Sequence, residues 1–160
     1  SDFSKGLIGK MQINTSGNDG VDFSGSEFSV SNIKLTNVND KCLSIGEKSV
    51  ITIDSLDIKN SEIGLVSKDG SKSIINYLKS SGVKVPIANF IKKNRFKNSK
   101  VIINNSKLNN FEIKYLVQKG LNIEVNGKIV QGDKKDVESL FYGNYYGKKT
   151  LKWDLKINMF

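Results

Sequence analysis

Asn39-Asp40-Lys41-Cys42-Leu43-Ser44-Ile45-Gly46-Glu47-Lys48-Ser49 is followed by Ser61-Glu62-Ile63-Gly64-Leu65-Val66-Ser67-Lys68-Asp69-Gly70-Ser71, the same pattern 22 positions on. An earlier copy is Asn18-Asp19-Gly20-Val21-Asp22-Phe23-Ser24-Gly25-Ser26, in which Val21 stands one full period before Leu43. Other columns share the period. Met11 and Ile33, Ile13 and Leu35, and Leu56 and Leu78 are each one period apart, and Ile33 to Leu56 is one position longer. Val30, Ile53 and Ile75 form a further column, and Asn37 and Asn60 fall in one turn column. A fixed period of this length is the mark of a repeat architecture.

Within each unit the apolar residues alternate, as in Phe28/Val30, Ile33/Leu35, Ile51/Ile53 and Leu56/Ile58. That is strand periodicity, broken by Ser, Asn, Asp and Gly. No unit carries the sustained helical period that a crossover helix needs. The stretch 72–82, with Ile74, Ile75, Tyr77 and Leu78, fits a helix as well as a strand. A single coil of this period cannot bury its own apolar stripe, whereas stacked coils bury a continuous core. The expectation is an all-β chain wound as a right-handed parallel β-helix over residues 1–125. Val21, Phe23, Ile33, Leu43, Ile45, Ile53, Leu56, Leu65, Ile75 and Leu78 are expected in its core.

The chain resembles the right-handed parallel β-helix proteins of the pectate-lyase-like class. Asp40–Ser49 and Ile63–Ser71 are similar to bacterial coils carrying DKGISVGE and GIASKDGS stretches. Cys42 stands where those coils usually have Gly. The resemblance implies a place in a bacterial surface or polysaccharide-associated protein. It leaves activity open, because the class holds lyases, hydrolases, epimerases, adhesins and scaffolds alike.

Beyond Ser71 the repeat loosens. Pro86–Ile91 reads as the next coil's strand, with Ile87 one period after Leu65. Residues 92–100 read as a protruding basic loop, and Val101–Leu108 resumes the coil. Leu121–Val125, Asn126-Gly127 and Lys128–Val130 form a hairpin signal with a primed turn. Asp133–Tyr142 reads as a short helix capped by Asp133, and Leu151, Trp153, Leu155 and Ile157 alternate as a strand. Residues 126–160 are thus expected to cap the C-terminal end, because open sheet edges invite aggregation. The opposite edge has no such cover, so an upstream domain or a partner is expected there. The start, Ser1-Asp2-Phe3-Ser4, shows no leader and no Met, as in a mature product or a piece of a longer chain.

Absences exclude much chemistry. The 160 residues include no His, so imidazole triads and His-ligated zinc are out. A single cysteine makes neither an intrachain disulfide nor a thiolate cluster, and a disulfide-free chain fits the cytoplasm and a secreted repeat protein equally. No phosphate loop, dinucleotide fingerprint or EF-hand is present, and no cofactor is expected. No apolar run approaches the roughly 20 residues of a membrane span. The net charge of +9 is uneven: residues 1–70 hold 7 Lys and 10 acids, whereas residues 71–160 hold 18 basic residues and 6 acids. The basic half fits an acidic polysaccharide or another polyanion. Nucleic acid is the less expected partner, since 24 Lys and one Arg provide little for bidentate base readout.

Stacking turns sequence period into surface columns. Asp22, Ser44, Val66 and Ala88 are expected to face outward in one column, and Ser24, Gly46, Lys68 and Phe90 in another. The corner beyond gathers Glu47, Lys48, Lys68 and Asp69, then Lys92, Lys93 and Arg95. On a catalytic reading, Lys68 or Lys92 takes the C5 proton of a uronic acid or neutralises its enolate. Asp22, Glu47 and Asp69 then offer oxygens to Ca²⁺. The same residues fit an ion-pair ladder, Glu47 with Lys68 or Lys48 with Asp69. Tyr142, Tyr145, Tyr146 and Trp153 fit sugar or base stacking, and equally the packing of a cap. Lys92, Lys93 and Arg95 with Tyr145 and Tyr146 are the ligand-binding candidates.

Three functions follow from these features. The first is a non-catalytic module of an extracellular or cell-surface protein, serving as scaffold or binding acidic polysaccharide. The second is a polysaccharide lyase or uronate epimerase, and the third a nucleic-acid or other polyanion binder. About five coils leave little groove for a polymer substrate, which favours the first.

Overall fold

The computed structural model describes residues 4–96, 98–143 and 145–147. Among these the chain forms ten strands and one short helix, wound as a parallel β-solenoid of about five turns. The strands are β1 (Lys5–Ile13), β2 (Val21–Ser24), β3 (Glu27–Thr36), β4 (Lys41–Gly46), β5 (Val50–Lys68), β6 (Lys72–Phe90), β7 (Lys100–Asn109), β8 (Tyr115–Val117), β9 (Asn122–Val125) and β10 (Lys128–Gln131), followed by α1 (Val137–Tyr142). Residues 72–82 are strand throughout. Parallel pairing with both neighbouring coils overrides any local helical preference there.

The pairing follows the sequence period. Val21 pairs with Leu43, Leu43 with Leu65, and Leu65 with Ile87. Ile8, Val30, Ile53, Ile75 and Ile103 stack in a second column, and Met11, Ile33, Leu56 and Leu78 in a third. All ten residues expected in the core are buried, none above 7 % exposed. The loop after Phe90 lengthens the period, so that Ile87 pairs with Tyr115.

Each coil turns where a residue adopts the left-handed conformation. Asn37, Asn60, Gly82 and Asn110 have φ of 56°, 47°, 67° and 52°. Asn and Gly tolerate that region best, which is why the turn column is written in those residues. The Asn126-Gly127 turn has φ of 53° and 72°, as a primed hairpin requires, and joins β9 to the antiparallel β10.

The inward face is not wholly apolar. Ser67 and Asn89 continue the Ile45 column and are fully buried. Ser67 Oγ shares hydrogen bonds with Ser71 Oγ at 2.8 Å and Ser73 Oγ at 3.0 Å, while Asn89 Nδ2 donates to the Asn122 carbonyl at 3.1 Å. Partners for the Ser67 hydroxyl and the Asn89 N–H remove much of the cost of burying them, while Asn89 Oδ1 has none among the described residues. Cys42 is fully buried, and its thiol is pushed up to about 12 by desolvation, which leaves it unreactive.

Two expectations are corrected at the far end of the chain. The helix starts at Val137 with Asp136 as its cap, not Asp133, because the Asp136 carboxylate accepts from the Ser139 N–H at 2.9 Å. The outward columns are also not open surface: Ser44, Val66, Ala88, Gly46 and Phe90 are buried, and only Asp22 and Ser24 are exposed. Val137 and Phe141 of α1 lie on Ile63, Val66, Val85, Ala88, Phe90 and Leu116 as a second hydrophobic cluster. Phe141 meets Phe90 edge-on with ring centroids 5.5 Å apart. The strand expected over Leu151–Ile157, with Trp153, lies outside the described residues.

At the N-terminal end β1 pairs with β3 alone among the described strands. Ile8, Met11 and Ile13 are only partly buried, whereas Val30, Ile33 and Leu35 one coil on are 2 %, 0 % and 0 % exposed.

Candidate functional site

The corner where β5 and β6 end is assembled from three successive coils. Asp69 sits just past β5 with φ of 56° and is fully buried. Its Oδ1 accepts from the backbone N–H of Lys92 at 2.9 Å and of Lys93 at 2.8 Å. Its carbonyl accepts from the Lys48 N–H at 3.0 Å. One carboxylate therefore clamps the first residues of the basic loop against the coil beneath. Gln118 Oε1 fastens the neighbouring Ile91 N–H at 2.9 Å, and the Phe96 N–H returns to the Lys93 carbonyl at 3.0 Å.

The basic loop is thus anchored where it leaves the coil, while Lys92, Asn94 and Arg95 are exposed. Its first residues, 91–93, are fastened by side-chain acceptors of the coil, and the Phe96 N–H closes a turn within the loop itself. Lys97 lies outside the described residues.

Glu47 is the second carboxylate of the corner. It accepts from the Lys93 ammonium through Oε1 and from Ser24 Oγ through Oε2. The Lys93 bond first, and the Ser24 bond after it, hold its carboxyl down at about 2. The observed partner is thus Lys93, two coils away, and neither ladder pair expected from sequence, Glu47 with Lys68 or Lys48 with Asp69, is the one formed. Asp22 is exposed on β2. Among the described residues no three acidic, Cys or His side chains converge in the manner of a metal site. Glu47 is instead engaged through both oxygens by Lys93 and Ser24, and Asp69 through Oδ1 by two backbone N–H groups, its buried Oδ2 having no hydrogen-bond partner among the described residues.

A carboxyl depressed in the folded state stabilises the fold above its ordinary value of 4.5, and that contribution is lost as the pH falls through about 2. Both partners are about one-third exposed, so the effect is below about 1 kcal/mol. Urea midpoints taken across that pH window should fall more steeply for the native chain than for Glu47→Gln. Parallel curves would show that the pair contributes nothing.

The remaining cations of the corner meet aromatic rings. Lys48 Nζ lies 5.9 Å from the centroid of Phe96, and Arg95 Cζ lies 5.1 Å from the same ring. Lys92 Nζ lies 4.5 Å from the Tyr142 ring centroid. Lys48, Lys68, Lys92 and Arg95 form no ion pair among the described residues. Lys68 lays its stem over Gly46, where an added Cβ would stand 2.9 Å from Lys68 Cε.

Tyr142 also faces Lys41, whose Nζ is 5.2 Å from the ring centroid. Lys41 is 4 % exposed and donates to Asp40 Oδ2 at 2.9 Å and Asp19 Oδ1 at 3.3 Å. Burial alone would lower its pKa, but the Asp40 hydrogen bond and the two nearby carboxylates outweigh burial and raise it. Reading the sequence alone misses this group. The sign it offers is a Lys in the column of Ile63 and Val85.

The two tyrosines named as ligand candidates are separated in role. Tyr145 is 72 % exposed, while Tyr146 packs partly buried against the second cluster, its N–H on the Leu140 carbonyl at 3.0 Å. Burial, with Glu112 nearby, pushes the Tyr146 phenol up. Among the ring systems, Tyr142 and Phe96 are those that meet the basic loop.

No helix among the described residues is long and apolar enough to cross a membrane. No family model matches the chain, and neither a curated protein nor a solved structure matches it. The pectate-lyase-like resemblance thus gains no family support, and the β-solenoid architecture stands on the fold itself.

Proposed function

We propose that the chain is a non-catalytic β-helix module that binds an acidic polysaccharide at the corner formed by Lys48, Lys92 and Arg95. The observation that carries this reading is the division of charges there. Glu47 and one oxygen of Asp69 are engaged internally, whereas Lys48 and Lys92 lie over aromatic rings without an ion pair among the described residues, and Arg95, over Phe96, shares the field of Glu47 with Lys93. A cation on a ring face keeps N–H donors for an incoming carboxylate or sulfate. The clamp by Asp69 also fixes the loop beforehand, which lowers the entropy lost on binding.

Lyase or epimerase chemistry has less support. Of its candidate groups, Glu47 already accepts from Lys93 and Ser24, Asp69 is fully buried and Lys68 lies along Gly46, which leaves Lys92 alone among them to serve as both base and enolate stabiliser. An extracellular or cell-surface setting, where acidic glycans occur, goes with this reading. A preceding segment or a partner then covers the β1 edge.

Calorimetric titration with polygalacturonate, hyaluronan and duplex DNA tests the proposal, with ultraviolet absorbance following the double bond that elimination would create. The expected result is binding of at least one glycan with no new absorbance. Accumulating product, or binding of DNA alone, would overturn it.

A further inference from the structure

Past the bend at Asp54 and Ser55 the solenoid has a flank that α1 does not cover. There residues 10–13, 32–36, 55–59, 77–81 and 105–109 stack in parallel register. Ile33, Leu35, Leu56, Ile58 and Leu78 point into the core, and the residues alternating with them face out. Each of the five coils presents one lysine on this face: Lys10, Lys34, Lys59, Lys79 and Lys107. All are exposed or half-exposed. None makes an ion pair or lies over an aromatic ring among the described residues.

The face carries one acid, Asp57, which stands between Lys34 and Lys79 in the stack and pairs with neither. Asp54, at the bend, accepts from Asn76 Nδ2 at 2.9 Å. The adjoining flank adds Lys5, Lys72 and Lys100 against Glu27, so the surroundings do not reverse the sign. Lys34, Lys79 and Lys107 share a column that Asp57 interrupts, while Lys10 and Lys59 stand in the columns to either side. With coils roughly 4.8 Å apart, the lysines spread over about 19 Å along the axis and about 13 Å across it. They form an area of charge, not a line. Tyr77, 42 % exposed between Ser55 and Asn105, is the one ring facing out among them.

We propose that this flank docks on a membrane surface, held by the anionic headgroups of its lipids. A negatively charged leaflet attracts lysines close to it without fixed pairing, and a plane of charge is met by an area of cations. Lysine suits the contact, because its long stem carries a compact ammonium into the headgroup layer. A phenol ring is at home at the same level. A linear polyanion fits less well, since its charges follow one column and Asp57 breaks the column that holds most of the lysines. A protein partner also fits less well. Such interfaces centre on apolar side chains and are depleted of Lys, and apart from Tyr77 no residue facing out here is apolar. The flank is separate from the basic corner, because the strand from Lys72 to Tyr77, roughly 16 Å of extended chain, lies between them.

Co-sedimentation with vesicles of phosphatidylcholine, with and without phosphatidylglycerol, tests the inference at low and high salt. The protein should sediment with the anionic vesicles at low salt, and with neither kind at high salt. Replacing Lys59, Lys79 and Lys107 with Ser should weaken that partitioning about a hundredfold, at about fivefold for each lysine. Replacing Lys92, Lys93 and Arg95 with Ser should change it less than about twofold, because charges beyond about 8 Å are screened. The three flank lysines lie outside the core, so thermal midpoints should barely move. If that triple variant fails to fold, Lys107→Glu alone decides, and should weaken partitioning by more than about fivefold. Absence of binding, equal binding to both kinds of vesicle, or anionic binding that the flank substitutions leave intact would overturn the proposal. So would binding of free polygalacturonate or DNA that falls with the flank substitutions while the vesicles stay bare.

Discussion

Leu56→Ala lowers the free energy of unfolding by about 2–5 kcal/mol, the range for truncating a fully buried aliphatic side chain. Leu56 is 0 % exposed and sits between Ile33 and Leu78 in the inward stack. Its removal leaves a cavity bounded above and below by coils whose backbones are fixed by parallel ladders. Those ladders cannot close inward without breaking register, so little of the cavity is relieved by collapse. Urea unfolding is the measurement. A loss below about 1 kcal/mol at both Leu56 and Ile53, its neighbour in the next inward column, would mean that the stacking register is wrong.

Phe141→Ala costs about 3–5 kcal/mol and undocks α1. The helix has six residues, too few to persist in water without tertiary contacts. Its hold on the solenoid is Val137 and Phe141, with Phe141 edge-on to Phe90. Truncation exposes an apolar face built from Val66, Ala88, Phe90 and Leu116, which a hydrophobic dye should report, together with the lower urea midpoint. Unchanged dye binding and midpoint would show that α1 does not seal this face.

Why the sequence revealed the coils but not their cover follows from these residues. A column such as Val21, Leu43, Leu65 and Ile87 repeats because every coil solves the same packing problem, and a repeated solution is visible as a period. The Asn37 and Asn60 turns were readable for the same reason, since each needs a residue tolerant of positive φ. Nothing periodic announces where a six-residue helix from position 137 will lie. The sign available was compositional: Val66, Ala88 and Phe90 are apolar at outward positions, where open surface should be polar.

The corner shows a similar limit. Lys68, Asp69, Glu47, Lys92, Lys93 and Arg95 do gather as their columns require, but which cation meets Glu47 depended on the 91–96 loop. That loop is an insertion outside the period, and its path is set by Asp69 and Gln118 rather than by any repeat. Lys41 was hidden because a Lys in an apolar column looks like a solvated face until Asp19 and Asp40 are seen around it.

The central claim, that the basic corner holds an acidic glycan through Lys48, Lys92 and Arg95, is tested most directly by the salt dependence of polygalacturonate binding. Each anion neutralised releases about one counterion, so three cation contacts should weaken binding about fortyfold between roughly 50 and 200 mM salt. Replacing Lys92, Lys93 and Arg95 with Ser should lower the slope of log K against log salt by about two units rather than three. The reason is that Lys93 is held by Glu47 rather than free, although Lys93→Ser alone uncovers that carboxylate beside Arg95 and should itself weaken binding. Lys34→Ser, on the acidic half of the chain, should leave the slope as it is, because charges beyond about 8 Å are screened. A native slope near zero, or a triple variant that keeps the native slope, would contradict the account.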